Sequence, residues 1–277
     1  MRNRFRRPRA EAQTAAAEPQ PTSHRTDVPE SVWFWDHYDN AAGEVIEFLD
    51  GDGGGLTGRS VADIGCGDGI IDLGLMHKAE PEVLDGFDVN LTDSGHLLNR
   101  ATQEGVCQEL PGNLHFHASE PKRIPSANHQ YDVVVSWSAF EHIAEPISIL
   151  GEAHRILKPE GLFFLQLWPF YHSSGGSHLW DWFDDPFPNL TRHEDEVAAA
   201  LRADPKPSSE WTEYMLDEYR HLNQITLDEL QRCILAAGLA VRKFEILTHA
   251  VHVPLELQRY SLSQLGIAGI KLIATPI

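Results

Sequence analysis

Apolar and polar positions alternate in blocks that predict strands and helices from Ser31 onward. Short apolar runs are typical of strands buried on both faces, and amphipathic segments between them, such as that of Val45, Ile46 and Leu49, are typical of helices. This regular rhythm predicts an α/β fold whose parallel sheet carries helices on both faces. The predicted strands are SVADIG, EVLDGFDV, NLHFHA, YDVVVSW and GLFFLQLW, and the predicted helices include IIDLGLMHKA, a segment opened by Thr92 and Asp93, and PISILGEAHRILK.

The length of 277 residues allows one large domain or two small ones. Residues 1–30 mix arginine, proline, alanine and polar side chains, with little to bury, so we predict a disordered tail. A transit peptide is the alternative, which Glu11 and Glu18 weaken. We predict a single domain over residues 31–277.

Charge and composition narrow the range of partners. The 22 basic against 41 acidic residues give a net charge of −19, and such an acidic chain repels phosphate backbones, so we expect no nucleic-acid substrate. The longest apolar run, Gly161–Trp168, is far shorter than the roughly 18 residues of a membrane span, so we expect no membrane insertion. Cys66, Cys107 and Cys233 form no CxxC motif, which favours reduced thiols and a cytoplasmic location.

A glycine loop joins the first strand to its helix. Gly65, Gly67 and Gly69 let the backbone approach a ligand, and the helix start supplies unpaired N–H groups, as in nucleotide sites. Asp88 ends the next strand, where a carboxylate can accept hydrogen bonds from ribose hydroxyls. A dinucleotide fingerprint has Gly or Ala where Ile70 stands, so the loop favours S-adenosylmethionine over a nicotinamide dinucleotide.

Several segments carry a family resemblance. VADIGCGDG resembles motif I of the class I S-adenosylmethionine-dependent methyltransferases, YDVVVSWSAFEHI resembles motif IV, and ILKPEGLFFLQ resembles the entry to strand five, so that the resemblance covers Val61 to Trp168. It implies a Rossmann-like, seven-stranded, mostly parallel sheet with an α-helical and loop insertion after strand five. AVRKFEILT and AGIKLIATPI resemble the family's seventh-strand hairpin.

The resemblance also implies roles for individual residues. Asp88 matches the acid that binds the donor's ribose, and Glu120 falls where an acid contacts the adenine amino group, although LHFHASE departs from the usual Gly-Asp-Ala pattern. Ser136 and Trp137 are expected beside the donor. Asp63 is expected to hold the loop or to reach the donor's ammonium through water, and capping of backbone amides is the open alternative.

The acceptor's proton is the second chemical question. Methyl transfer is an in-line displacement, and a hydroxyl acceptor must lose a proton as the new bond forms. The resemblance implies that His142 faces the acceptor, and we expect it to act as the general base, with Glu141 as its partner or as a helix cap. A histidine that only packs at a helix start is the alternative.

The insertion, at about residues 169–223, is where the resemblance implies acceptor binding. Tyr171, His172, Trp180 and Trp182 lie there beside carboxylates, a composition that suits a saccharide, and the glycine-serine run at 173–177 suggests a lid. A homodimer interface or a small satellite core are the alternatives. Four residues of the N-terminal segment are expected either to wall the same pocket or to pack on the sheet: Trp33, Trp35, His37 and Tyr38.

The sequence thus predicts an S-adenosylmethionine-dependent O-methyltransferase of a small polar acceptor, foremost a sugar or glycoside. The arrangement resembles the sugar O-methyltransferases, particularly the 1-O-methyltransferases of methylmannose polysaccharide synthesis. Transfer to a phenol, carboxylate or amine, a non-catalytic donor-binding protein, and a dehydrogenase are the alternatives. The 15 histidines match no closed zinc spacing, so we predict no metal site, and a weakly held Mg²⁺ is left open.

Overall fold

The computed structural model describes residues 29–51 and 55–277. The predicted tail lies outside this range apart from Pro29 and Glu30, as do residues 52–54. The described residues form one seven-stranded sheet in the order β3-β2-β1-β4-β5-β7-β6. The strands are β1 Ser60–Ile64, β2 Val83–Asp88, β3 Leu114–Ala118, β4 Tyr131–Trp137, β5 Leu157–Leu167, β6 Leu239–Thr248 and β7 Ile267–Pro276.

Neighbouring strands from β3 to β5 pair in parallel, whereas β7 is antiparallel to both β5 and β6. The predicted fold class, a mostly parallel sheet of seven strands with flanking helices, is therefore confirmed. The helices are α1 Glu30–Trp35, which runs through a π-helical turn Asp36–Ala41 into α2 Ala42–Asp50, α3 Ile70–Ala79, α4 Ser94–Gln103, α5 Pro146–Ile156, α6 Pro188–Thr191, α7 Glu194–Ala203, α8 Ser209–His221, α9 Leu227–Ala236 and α10 Leu262–Gly266.

The apolar alternation along the central strands divides the core into two layers. On β4, Val134 packs with α5 and α9, while Val133 and Val135 face the opposite layer of α2, α3 and α4. All three valines are buried, and each such side chain contributes about 1.5–3 kcal/mol. The central strands are thus packed on both faces, and this packing fixes the positions from which the loops at their carboxyl ends begin.

The edge strand β3 is not buried on both faces, contrary to the prediction. Among the described strands it pairs with β2 alone, and His115 and His117 are exposed. Each histidine lies 3.2 Å from Asp85 Oδ1 on β2, and the Tyr131 hydroxyl donates to Asp85 Oδ2 at 2.8 Å. Polar partners therefore replace apolar packing at this edge.

The segment between β5 and α9 carries α6, α7 and α8 with an apolar cluster of its own. Leu179, Val197, Leu201 and Leu216 are buried there, away from the sheet. Ser208 caps α8 by accepting a hydrogen bond from Trp211 N. The face of α8 opposite this cluster contributes to the wall of the main cavity through Tyr214, Asp217, Glu218 and His221. Within the described residues, no helix combines the length and the apolar composition of a membrane span.

Candidate functional site

A cavity of about 1560 Å³ opens at the carboxyl ends of β1, β2 and β4. Its walls include the glycine loop, the segment after β2, the turn after β4, α8 and the N-terminal helical segment. This volume exceeds the roughly 300–1000 Å³ that is typical of a pocket for one small ligand. The cavity therefore has room for a donor and an acceptor side by side.

The glycine loop bends sharply against the turn that follows β4. Gly65 and Gly67 line the cavity with φ of +81° and +54°, which L side chains rarely adopt. A Cβ on Gly65 would lie 2.3 Å from Cβ of Ala139, so only glycine fits there. Gly69 caps α3 with φ +77° against Phe116, behind the cavity wall. The first two glycines thus form a cradle, and the third shapes it.

Asp88 lies at the end of β2 and faces this cradle. Its Oδ2 accepts a hydrogen bond from Gly67 N at 3.1 Å, and its Oδ1 accepts one from Asn90 N at 2.9 Å. Glu120 and Trp137 line the same cavity, and Trp137 stacks on Phe164 with ring centroids 6.3 Å apart. These positions fit an adenosine-type donor, whose ribose hydroxyls would meet Asp88.

Two of the residues predicted to bind the methyl donor lie beneath the cavity rather than in its wall. Ser136 is fully buried and donates from Oγ to the carbonyl of Ile64 at 2.7 Å, so it ties β4 to β1. Asp63 is buried under the loop beside Asp72 of α3. Burial raises the pKa of Asp63 to about 7 and raises that of Asp72 well above its ordinary value. This placement favours the support of the loop over direct donor contact.

Glu141 and His142 stand in the turn after β4 and line the cavity. Burial raises the pKa of Glu141 to about 7, and within residues 29–51 and 55–277 its Oε2 has no hydrogen-bond partner. Burial alone lowers the pKa of His142, but Glu218 and Glu141 together raise it by more. The partner of His142 is Glu218 of α8, whose Oε2 lies 3.1 Å from Nδ1.

His178, from the loop after β5, joins this group. Its ring lies 5.1 Å from that of His142, at 87°. One ligand atom each from Glu141, His142 and His178 lies within 4.8 Å of the other two, so the three side chains could hold a metal ion. The sequence does not predict His178 or Glu218 as site residues, because their separation from Glu141 and His142 along the chain gives no motif.

The turn that carries this cluster is clamped by Asn223, at the end of the insertion. The side-chain amide donates to the carbonyls of Phe140 and Ile143, the latter at 2.8 Å. The Asn223 backbone N donates to the carbonyl of Glu141 at 2.8 Å. Asn223 thereby holds three carbonyls of one short turn, although it lies about 80 residues further along the chain.

The four predicted acceptor residues do not line this cavity. Tyr171 and Trp182 pack on the satellite cluster, and Trp182 Nε1 donates to the carbonyl of Asp204 at 2.8 Å. His172 stands beside Tyr260, with ring centroids 5.5 Å apart. Trp180 stacks behind the wall residue Trp168 at 5.8 Å. The positions of Tyr171 and Trp182 agree with the satellite-core alternative, whereas His172 and Trp180 contact other aromatic rings.

The predicted lid run at 173–177 is a buried turn. Ser173 and Ser177 are 1% and 2% exposed, and the Ser173 hydroxyl donates to the carbonyl of Phe170 at 2.8 Å. A Cβ on Gly176 would lie 2.2 Å from the carbonyl oxygen of Tyr171. The glycines serve close packing here instead of motion.

The aromatic wall of the cavity comes from elsewhere. Trp33 and His37 of the N-terminal segment line it, with Trp168 and Tyr214, whereas Trp35 and Tyr38 do not. Trp33 Nε1 donates to Asp68 Oδ2 at 3.0 Å, which fixes the helix over the glycine loop. Of the two alternatives left open by the sequence, the pocket wall therefore describes Trp33 and His37.

Acidic side chains outnumber basic ones in the cavity wall. Lys271 is the lysine in this wall, and its ammonium pairs with Glu44. Such a surface attracts cations and repels anions. The acidic side chains that line it are Asp36, Glu44, Asp68, Asp88, Asp93, Glu120, Glu141, Asp217 and Glu218.

Comparison with known proteins adds a family. A family profile described as "Methyltransferase domain" matches residues 33–243. The chain is similar to the ubiquinone biosynthesis O-methyltransferase of Acinetobacter baylyi, with 29% identity over 120 residues, which are 43% of this chain and 48% of that protein. The chain thus spans about half the length of the curated relatives it matches. Their name does not support the predicted closer resemblance to sugar O-methyltransferases.

Two solved structures share the fold. The YcgJ protein from Bacillus subtilis has a TM-score of 0.51 at 16% identity, over 86% of this chain and 97% of that one. The geranyl diphosphate C-methyltransferase from Streptomyces coelicolor, in complex with Mg²⁺, geranyl-S-thiolodiphosphate and S-adenosyl-L-homocysteine, has a TM-score of 0.53 at 12% identity, over 85% and 76%. At these identities the likeness concerns the fold alone.

Proposed function

Because the chain belongs to the methyltransferase-domain family, we propose that it methylates a hydroxyl group of a small acceptor bound in this cavity. The prediction of an S-adenosylmethionine-dependent methyltransferase is confirmed by the family. The observation that carries the proposal is that the glycine cradle and Asp88 share one cavity with Glu141 and His142. Donor-binding and acceptor-facing groups are thus within reach of one another.

We propose that the donor lies over Gly65 and Gly67, with its ribose on Asp88 and its base near Glu120. When bound, S-adenosylmethionine supplies an electrophilic methyl group on a positively charged sulfur. The acidic walls stabilise that charge. Trp33 and Tyr214 line the cavity. We propose that they restrict water around the bound ligands, so that the acceptor oxygen can be held in line with the methyl group.

We propose that the acceptor hydroxyl lies against Glu141 and His142, the two residues predicted to be catalytic. The acidic walls disfavour anionic acceptors and nucleic acid. A saccharide is one acceptor class, supported by the faces of Trp33 and Trp168 beside carboxylates. A phenol is the second, supported by the O-methyltransferase relatives.

Methyl-labelled S-adenosylmethionine, incubated with separate pools of saccharides, phenols, carboxylic acids and amines, tests the proposal. Label in the saccharides or phenols would support methylation of a hydroxyl group, and label in amines or carboxylic acids alone would contradict it. If the protein binds the donor but transfers label to none of these pools, it is a donor-binding protein and not an enzyme.

Two variants separate the halves of the site. Asp88→Ala should weaken donor binding by about 10–100-fold, because a charged hydrogen-bond acceptor is lost. His142→Ala should lower turnover on the order of 100-fold or more and leave donor affinity nearly unchanged. Calorimetry and the label assay give the two readouts, and His96→Ala, on exposed α4 surface, is the control.

A further inference from the structure

We infer that Glu141, His142 and His178 form a binding site for one divalent transition-metal cation on the acceptor side of the cavity. One potential ligand atom from each residue lies within 4.8 Å of the other two, and all three residues line the cavity. The three come from two separate loops that the fold brings together, those after β4 and β5. The position of the cation is inferred from this geometry. Its role in methyl transfer rests on the proposed function.

Burial of Glu141 is the first physical argument. The residue is 4% exposed, and its Oε2 has no hydrogen-bond partner in the part of the chain that the structure describes. A buried carboxylate is costly unless a proton, a cation or hydrogen bonds compensate its charge. A metal ion among the three side chains would provide that compensation at the atom that lacks it.

The ligand positions are also held in place before any cation arrives. Asn223 fixes the turn of Glu141 and His142 through the carbonyls on either side of them. His178 adopts φ +60° and stacks on Trp180 with ring centroids 5.4 Å apart. Glu218 pairs with one ring nitrogen of His142, as carboxylates do with metal-binding histidines in many sites. A preorganised donor set of this kind loses little entropy on binding.

The donor set selects the class of cation. Two imidazoles and one carboxylate suit Zn²⁺, Fe²⁺, Co²⁺ or Ni²⁺, whereas Mg²⁺ prefers oxygen ligands throughout. The site therefore differs from the weakly held Mg²⁺ that the sequence left open.

The cation gives the cluster a chemical purpose in methyl transfer. A cation next to the acceptor hydroxyl lowers the pKa of that hydroxyl and so replaces the need for a strong base. The acceptor loses its proton to solvent and gains the methyl group as the donor's carbon–sulfur bond breaks, so atoms and charge balance. His142 is then a metal ligand, in place of the proton acceptor that the sequence predicts.

Cobalt binding tests the site without donor or acceptor. The full chain, freed of any affinity tag and of metal by a chelator, is titrated with Co²⁺ and followed by visible absorption and calorimetry. We expect one Co²⁺ per chain, a spectrum with nitrogen ligation, and displacement by Zn²⁺ but not by equimolar Mg²⁺.

Variants assign the ligands. His178→Asn tolerates the positive φ and should weaken Co²⁺ binding on the order of 100-fold, and Glu141→Gln keeps the shape of the side chain and should also weaken it. His96→Ala, whose exposed side chain is not part of the cavity wall, should bind as the unaltered chain does. Thermal unfolding establishes that each variant is folded. Equal Co²⁺ affinity in all four proteins, or no stoichiometric binding at all, would overturn the inference.

The label assay keeps this inference separate from the proposed function. A metal-free protein that methylates its acceptor at full rate in chelator and binds no Co²⁺ retains the function and loses the metal site. A protein that binds Co²⁺ through these three residues but labels no acceptor retains the metal site and loses the function.

Discussion

At the scale of single residues, the glycine cradle depends on two different restrictions. Gly65 and Gly67 both have positive φ, but only Gly65 also lacks space, because a Cβ there would meet Ala139. A Cβ on Gly67 would have no atom within 4 Å. A comparison of the two positions therefore separates the cost of a positive φ from the cost of a steric clash.

We expect Gly65→Ala to lower the free energy of unfolding more than Gly67→Ala does. Positive φ alone costs roughly 1–2 kcal/mol for an alanine, and the clash with Ala139 adds to this in Gly65→Ala. Urea unfolding of both variants measures the difference. The double variant Gly65→Ala/Ala139→Gly should recover to the level of Gly67→Ala, and a double variant no better than Gly65→Ala would contradict the steric explanation.

At the scale of elements, a buried pair of carboxyls joins β1 to α3. Asp63 and Asp72 are 2% and 0% exposed, and burial raises the pKa of each. A carboxyl with a raised pKa in the folded state binds more protons there than in the unfolded chain. Its contribution to stability is therefore fully present below about pH 4 and is lost as the pH rises.

Stability of the unaltered protein should consequently fall between about pH 4 and the folded pKa of Asp63, near 7, and further as Asp72 titrates. Asp72→Asn removes one of the two titrations, so it should raise the free energy of unfolding at pH 8 by about 1 kcal/mol or more and flatten the curve. Chemical unfolding across pH 4–8 measures this.

Asp132→Asn provides the opposite sign as a control. Although partial burial by itself raises the pKa of Asp132, hydrogen bonds from Lys158 and Ser60 outweigh it and lower the pKa to about 2. Its stabilising contribution is present above about pH 4 and disappears as the pH falls toward 2. Asp132→Asn should thus destabilise the protein at neutral pH, and parallel pH curves for Asp72→Asn and the unaltered chain would rule out the buried-pair account.

A second contact between elements links the insertion to the turn that carries Glu141 and His142. Asn223→Ala removes the side-chain hydrogen bonds to Phe140 and Ile143, each worth about 0.5–1.5 kcal/mol, but keeps the backbone bond to Glu141. We expect a lower unfolding temperature and methyl transfer about 10-fold slower, with donor affinity within about 2-fold of normal.

Asn189→Ala is the matched control for this clamp. Asn189 also bonds a carbonyl within the insertion, that of Tyr171 at 2.6 Å, but neither residue lines the cavity. The Asn189→Ala variant should have a lower unfolding temperature but an unchanged rate of methyl transfer. If both asparagine variants slowed transfer equally, general loosening of the insertion and not the clamp would be responsible.

At the scale of the whole molecule, the two halves of the site differ in how far the sequence reveals them. The donor half is local: Gly65, Gly67 and Asp88 sit at strand ends that the apolar pattern marks, so their convergence at one sheet edge could be predicted. The acceptor half depends on chain-distant packing. His178 and Glu218 come from the insertion, whose conspicuous tryptophan Trp182 serves a satellite cluster instead.

The overall charge supports a final prediction on donor binding. The chain carries a net charge of −19, and acidic side chains outnumber basic ones in the walls of its cavity. S-Adenosylmethionine carries one more positive charge than S-adenosylhomocysteine because of its sulfonium. Long-range attraction should therefore favour the methyl donor over the demethylated product at low salt.

Raising the salt concentration from about 0.05 to 0.5 M shortens the screening length to about a third. We expect the affinity for S-adenosylmethionine to fall about 3-fold or more over this range, while that for S-adenosylhomocysteine changes less than about 2-fold. Calorimetric titration of both ligands measures the two slopes, with Glu218→Gln as a variant that removes one wall charge and should reduce the difference. Equal slopes for the two ligands would mean that short-range contacts at the sulfur, rather than the field of the acidic cavity, discriminate donor from product. A larger slope for the donor would mean that the acidity evident in the sequence promotes product release after each transfer.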